Sequence, residues 1–319
     1  MRNVVIMFAG QGAQYIGMGK DFYENNKVSK QIFNQASQIL GYDIRHICFE
    51  ANDNINQTQY TQPAMLVTSL AIYHALVDRL PLNPQFMLGF SLGEYSALYA
   101  SGIISFEDII MLIQKRANFM AQDAIDHPGA MAAILGIDRN KLSSICQDVT
   151  RDEGFVHIAN YNCPNQLVIS GLKKSVEMVC EFAKANGAKR AILLNVSGGF
   201  HTPLMKESAD KMLHQVLNIE HKKPKTDIIM NTDASVLINL LELPYKMANQ
   251  ISGPVYFEDS VREAIRRGAN TFIEIGPGQV LSGLVRKIDE SVDVVSIDKY
   301  SDLDKLNSFL GGNSYEPRK

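Results

Sequence analysis

What this 319-residue chain has little of narrows the field first. Its four cysteines, Cys48, Cys146, Cys163 and Cys180, are widely spaced and form no CxxC pair. That argues against a zinc site or a disulfide framework and suits free thiols in a reducing cytosol. The net charge is only −3, so there is no electrostatic case for nucleic acid or an anionic membrane. Basic pairs such as Lys222-Lys223 and Arg266-Arg267 are scattered along the chain. No apolar run approaches membrane-spanning length, and the stretch from Val4 to Phe8 is too short for a signal peptide. Internal repeats and low-complexity segments are also missing. The expectation is a soluble, cytoplasmic protein whose 46% hydrophobic content can bury a large core.

What is present is a Gly-x-Ser-x-Gly box, Gly89-Phe90-Ser91-Leu92-Gly93. Phe86-Met87-Leu88 before it reads as a strand, and Leu92 to Ala100 after it reads as a helix. In that context the box is a nucleophile elbow rather than an ordinary tight turn. Glycine flanks the serine because the sharp turn leaves no room for side chains. The hydroxyl then sits at a helix N-terminus, where backbone N–H groups favour a developing oxyanion.

Strand-like and helical runs alternate along most of the chain, the signature of an α/β fold. Val4–Phe8 predicts a strand ending in the Gly10-Gln11-Gly12 turn, and Pro63 is read as opening a long helix through about Asp78. Ser105-Phe106-Glu107-Asp108 resembles a capping box at the start of the helix carrying Arg116. Thr271–Ile275 predicts a strand, followed by a Gly276-Pro277-Gly278 turn and a helix over Gln279–Asp289. Residues 129–196 have a different rhythm: strand 131–135, helix 140–150, strands 156–161 and 166–171, helix 175–186, strand 188–195. That β-α-β-β-α-β order predicts a ferredoxin-like subdomain inserted into a larger domain made of 1–128 and 197–310. Residues 311–319 read as a flexible tail.

A serine hydroxyl needs a base within hydrogen-bond reach. Of seven histidines, His46, His74, His127, His157, His214 and His221 have no distinguishing context and read as surface or packing residues. His201 follows Ser197-Gly198-Gly199-Phe200, and Thr202-Pro203 then opens a helix through about Leu217. A helix N-terminus biases imidazole toward its neutral form, the form a general base needs, although a capping or packing role stays open. The Gly10-Gln11-Gly12 turn could start a dinucleotide-binding loop, but the third glycine of that pattern falls on Tyr15. It reads better as a turn presenting N–H groups near Ser91. Arg116 could clamp a substrate carboxylate, although composition alone favours a surface salt bridge.

Taken jointly, Ala9-Gly10-Gln11-Gly12-Ala13-Gln14, Tyr60-Thr61-Gln62-Pro63-Ala64, the Ser91 box with Glu94-Tyr95-Ser96-Ala97-Leu98, Gly129 to Ala133, Ala159 to Pro164, Val196 to His201 and Glu274 to Gly278 resemble the malonyl-CoA:acyl-carrier-protein transacylase family of fatty acid and polyketide synthesis. The similarity runs from about residue 4 to residue 300. It implies an α/β-hydrolase-like large domain carrying the ferredoxin-like subdomain, with the active site in the cleft between them. The family's serine takes an acyl group from coenzyme A and passes it to the phosphopantetheine thiol of a carrier protein, through an acyl-serine ester. Carried over, Ser91 is the nucleophile and His201 the base. The N–H groups of Gln11 and Leu92 form the oxyanion hole, and Arg116 binds the malonyl carboxylate. Gln250 orients the histidine through its backbone carbonyl, so no acidic partner is needed. Asn160 lines the cleft, and Phe200 fits malonyl better than bulkier methylmalonyl.

Malonyl-CoA is then a substrate, and neither metal nor cofactor is implied. A monomer suffices. Carrier proteins are generally acidic, so Lys189-Arg190 and Arg286-Lys287 are the candidate docking pairs, weighed against scattered surface charge. Three positions depart from the family pattern: Phe90 stands where histidine is usual, and Ala9 and Gly199 stand where proline is usual. They leave room for a polyketide or hybrid pathway. The other readings are an acyl hydrolase on the same scaffold, a non-catalytic carrier-protein binding module and a dinucleotide-binding protein. Arg116 argues against the first, the Ser91/His201 pair against the second, and Tyr15 against the third.

Overall fold

A computed structural model describes residues 2–80 and 82–310; the tail expected at 311–319 lies outside them. In chain order the described strands are β1 (Val4–Phe8), β2 (Phe86–Gly89), β3 (Ala130–Leu135), β4 (Val156–Cys163), β5 (Gln166–Gly171), β6 (Arg190–Leu193), β7 (Asp227–Ile228), β8 (Thr271–Ile275) and β9 (Asp293–Ile297). They form a five-stranded sheet in the order β7-β2-β1-β8-β9 and a four-stranded sheet in the order β4-β5-β3-β6. The fold is mixed α/β, as expected. Among the described residues no helix is long and apolar enough to cross a membrane.

The chain divides into two compact units. The first holds residues up to 114, 220–229 and 264 onward, and contains the five-stranded sheet. All its pairings are parallel. Every residue of β1 and β8 is buried, which explains the unbroken Val4-Val5-Ile6-Met7-Phe8 run: a central parallel strand has no solvent face to alternate toward. Phe8 pairs with Gly89 and with Ile275, so the loops after β1, β2 and β8 leave the sheet at one edge. In open parallel sheets the carboxyl edge is where ligand chemistry gathers.

The second unit holds 115–219 and 230–263. Its four-stranded sheet is antiparallel throughout. The helices Arg139–Glu153 and Lys173–Ala185 bury Leu142, Cys146, Val149, Val176 and Val179 against Ala132, Ile134, Ile158, Leu167 and Ile169 of the strands. The β-α-β-β-α-β order appears as read, with element ends shifted by a few residues. This unit reaches well beyond 129–196. Asp123 Oδ2 accepts from both the N–H and the hydroxyl of Ser208, at 2.8 and 2.7 Å, tying helix Phe106–Asp126 to helix Lys206–Leu217. The 253–256 segment joins β4 through Val255 N–H to Ala159 O and Tyr161 N–H to Val255 O, both 2.9 Å.

Two predicted helix starts differ. Helix Thr58–Arg79 begins five residues before Pro63, which lies inside it. Proline cannot donate to the carbonyl four residues back. That carbonyl, on Gln59, instead accepts from Gln114 Nε2 at 3.3 Å. After Thr202 the chain makes a short 3₁₀ turn, Pro203–Met205, before the helix Lys206–Leu217. The box at Ser105 forms as read: its hydroxyl accepts from Asp108 N–H at 3.1 Å and donates to Asp108 Oδ2 at 2.6 Å.

Candidate active site

Ser91 lies just after β2, at the carboxyl edge of the parallel sheet. Ser91 has φ 53, a left-handed backbone that residues with side chains rarely adopt. The strain follows from the tightness of the turn. A Cβ on Gly89 would stand 2.1 Å from Glu94 N, and one on Gly93 would stand 2.2 Å from Phe8 O, so neither position admits a side chain. Helix Gly93–Ala100 follows at once. Gly93, Glu94 and Tyr95 N–H groups bond back to the carbonyls of Phe90, Ser91 and Leu92, each at 3.0 Å. The Leu92 N–H has no backbone acceptor among the described residues, and neither does the Gln11 N–H in the loop after β1. These are the two donors expected to face an oxyanion. Gln11 Nε2 reaches Thr58 Oγ1 at 3.5 Å, which restrains its loop.

Two family departures have a structural account here. Ala9 donates its N–H to Ile275 O at 3.1 Å, extending the β1–β8 ladder by a bond that proline could not make. Phe90 is half-buried and its ring lies on the loop glycine: a Cβ on Gly10 would meet Phe90 Cδ1 at 2.7 Å.

The other candidate side chains, His201, Gln250 and Arg116, lie in the second unit. His201 is buried and also left-handed, with φ 60. Gln250 O accepts from His201 Nδ1–H at 2.7 Å. That fixes the tautomer with the proton on Nδ1 and leaves Nε2 as the basic nitrogen. Gln250 also turns its side chain to Arg116, whose Nη2 donates to Gln250 Oε1 at 3.0 Å, and its Nε2 faces Asn231 Oδ1 at 3.5 Å. Arg116 is 1% exposed, so the surface salt bridge suggested by composition is corrected to a buried guanidinium.

The His201 imidazole is pushed down to about 4, by burial first and by the Arg116 charge second. Its neutrality therefore rests mainly on desolvation, with no helix-dipole argument needed. Gly199, the third departure, sits where a side chain would crowd Leu204 Cδ1 at 2.8 Å, and its carbonyl accepts from Thr202 Oγ1 at 2.6 Å.

The second unit thus brings together Arg116, Gln250 and His201. Phe200 is buried beside His201 in sequence, and Asn160 is buried on β4, where it forms the bridge with Val255. Lys189 and Arg190 are exposed at the start of β6, and Arg286 and Lys287 are exposed at the end of helix Val280–Ile288. Two residues escaped the sequence reading. His157 Nε2 donates to His201 O at 2.7 Å, and Asn231 supports the Gln250 side chain. Neither had a signal in sequence, since one serves a main-chain oxygen and the other a residue nineteen positions away. Among the described residues no cluster of three or more His, Cys, Asp or Glu could hold a metal ion.

Residues 5–300 match the family described as acyl transferase domain. The chain is 41% identical over 298 residues to the malonyl CoA-acyl carrier protein transacylase of Bacillus subtilis (strain 168), covering 93% of this chain and 94% of that protein. Its fold superposes on the crystal structure of MCAT from Streptococcus pneumoniae with a TM-score of 0.92 at 39% identity, covering 96% and 99% of the two chains. At the same TM-score and 34% identity, covering 95% of this chain and 98% of that one, it matches a malonyl-transacylase in complex with its type II PKS acyl-carrier protein.

Proposed function

The chain belongs to the acyl transferase domain family, among its malonyl CoA-acyl carrier protein transacylases, and from that premise we propose how its residues carry out the transfer. The enzyme moves a malonyl group from coenzyme A to an acyl carrier protein. Ser91 Oγ attacks the thioester carbonyl carbon while His201 Nε2 takes the hydroxyl proton. The tetrahedral oxyanion is held by the N–H groups of Gln11 and Leu92. The C–S bond breaks, the leaving thiol takes the proton back from His201, and a malonyl-serine ester remains. The carrier protein's thiol then reverses these steps.

One observation carries this reading: a buried guanidinium and a neutral, Nδ1-protonated imidazole are joined through one residue, Gln250. A buried cation with that neighbour suits a substrate with a free carboxylate, and a hydrolase of neutral acyl groups would have no use for it. Phe200 and Asn160 are assigned to the acyl pocket. The fold names that suit the two sheets are α/β-hydrolase-like for the parallel one and ferredoxin-like for the antiparallel one, with 129–196 as the inserted subdomain. The proposed enzyme is a cytoplasmic monomer whose partners are malonyl-CoA and a carrier protein, acting without cofactor, nucleic acid or membrane. Brief exposure to malonyl-CoA should add one malonyl mass to the Ser91 peptide, and the label should move to holo carrier protein. Release as free malonate instead of transfer would favour the hydrolase.

A further inference from the structure

His201 must hold its ring in one orientation from a backbone conformation that disfavours any side chain. Such a conformation persists only where surrounding contacts over-determine it. The ring is tied at Nδ1 to Gln250 O, and the neighbouring Thr202 hydroxyl closes the preceding turn on Gly199 O. A further tie is on the carbonyl of His201 itself, which accepts from His157 Nε2–H at 2.7 Å. We propose that His157 is a positioning residue for the base: by holding the His201 carbonyl it keeps the left-handed backbone from which Nε2 is presented to the reacting hydroxyl.

His157 is well placed to serve as a fixed post. It lies within β4, paired with Ser170 of β5, and its ring meets Phe155 edge-on with centroids 5.1 Å apart. Because its partner is a carbonyl oxygen, Nε2 must carry a hydrogen. Burial holds the imidazole below the usual histidine value, so the donor is the neutral Nε2–H tautomer. His157 also borders a cavity of about 380 Å³ lined by Ser143, Gln147, Thr150, Tyr161 and Pro254. That space tolerates a change of side chain without forcing the sheet apart. The bond reaches only main chain of His201, so His157 acts through the base and not on substrate.

The proposal rests on His201 being the base, and its test separates the two. Single-turnover malonylation of Ser91 is followed by mass spectrometry in the parent, His157→Phe, His157→Leu and His157→Gln, with melting temperatures in parallel. Phenylalanine and leucine fill the site without a donor, while glutamine can place an amide N–H at a similar reach. The apolar variants should lower the saturated rate by about ten- to a hundredfold with half-saturation little changed, because misaiming a catalytic group costs rate more than binding. Glutamine should restore most of that loss. Whichever apolar variant keeps the parental melting temperature decides the matter. Parental rates in it, or an equal fall in glutamine and apolar variants, would overturn the role of His157 alone. A parent that is not malonylated at Ser91 would overturn the function beneath it.

Discussion

Replacing Arg116 by alanine tests the assignment of substrate selectivity. The guanidinium is buried, and its Nη2 donates to the neutral Gln250 Oε1. A substrate carboxylate entering this setting completes a charge-assisted pair, and truncating one partner of such a buried pair costs about 2–5 kcal/mol. At about 1.4 kcal/mol per decade, kcat/KM for malonyl-CoA should fall by about 30-fold to several thousandfold.

Acetyl-CoA has no carboxylate to lose. Arg116 also depresses the His201 imidazole, second to burial, so its removal makes the base stronger. Acetylation of Ser91 at neutral pH should therefore hold or rise. The acid limb of the pH–rate profile should move upward from about 4 toward the ordinary value of 6.5. Timed mass spectrometry of the acyl-enzyme with each thioester, across pH 4 to 8, reads both effects. Equal losses for malonyl and acetyl groups would refute the reasoning, since Arg116 would then be supporting Gln250 and not reading the substrate.

In the parent, acylation should stay flat as pH falls from neutrality and drop only near the His201 value of about 4. The same depressed value makes the unfolded chain bind a proton first, so stability should decline as pH falls from about 6.5 to about 4, by about 3 kcal/mol relative to His201→Gln in urea titrations; parallel curves would exclude a buried neutral imidazole. Gly93→Ala sets a Cβ 2.2 Å from the Phe8 carbonyl. It should destabilise by about 3 kcal/mol or more or abolish soluble expression, read by thermal melting; a parental melting temperature would show that the elbow is looser than described. Charge reversal at Lys189 and Arg190, or at Arg286 and Lys287, should raise KM for carrier protein several-fold at low salt. It should leave malonylation from coenzyme A unchanged, because screened surface charges steer a macromolecular partner more than a bound thioester. An unaltered KM for both pairs would remove the docking proposal.

Legibility in this chain follows where each constraint is written. The elbow could be read because its sterics demand glycine on both flanks, and the structure puts Glu94 N and Phe8 O where those β-carbons would be. The β-α-β-β-α-β stretch could be read because one buried face per element leaves a clear period, as in Leu142, Cys146 and Val149. Pro63 misled because its tolerance depends on Gln114, half a hundred residues away, accepting the duty of the missing N–H. The hold of Asp123 on Ser208, 85 positions away, likewise leaves no local pattern. His201 stands out by its glycine frame, but its neutrality comes from burial and from the Arg116 charge, a property of packing that no local pattern carries. The contacts that aim it run through main-chain oxygens, Gln250 O on the ring and its own carbonyl to His157. Every residue type carries such an oxygen, so composition marks neither one. An acid that orients a histidine can be sought by residue type, whereas a carbonyl that does so, as Gln250 O does here, can be found only where the fold brings it into place.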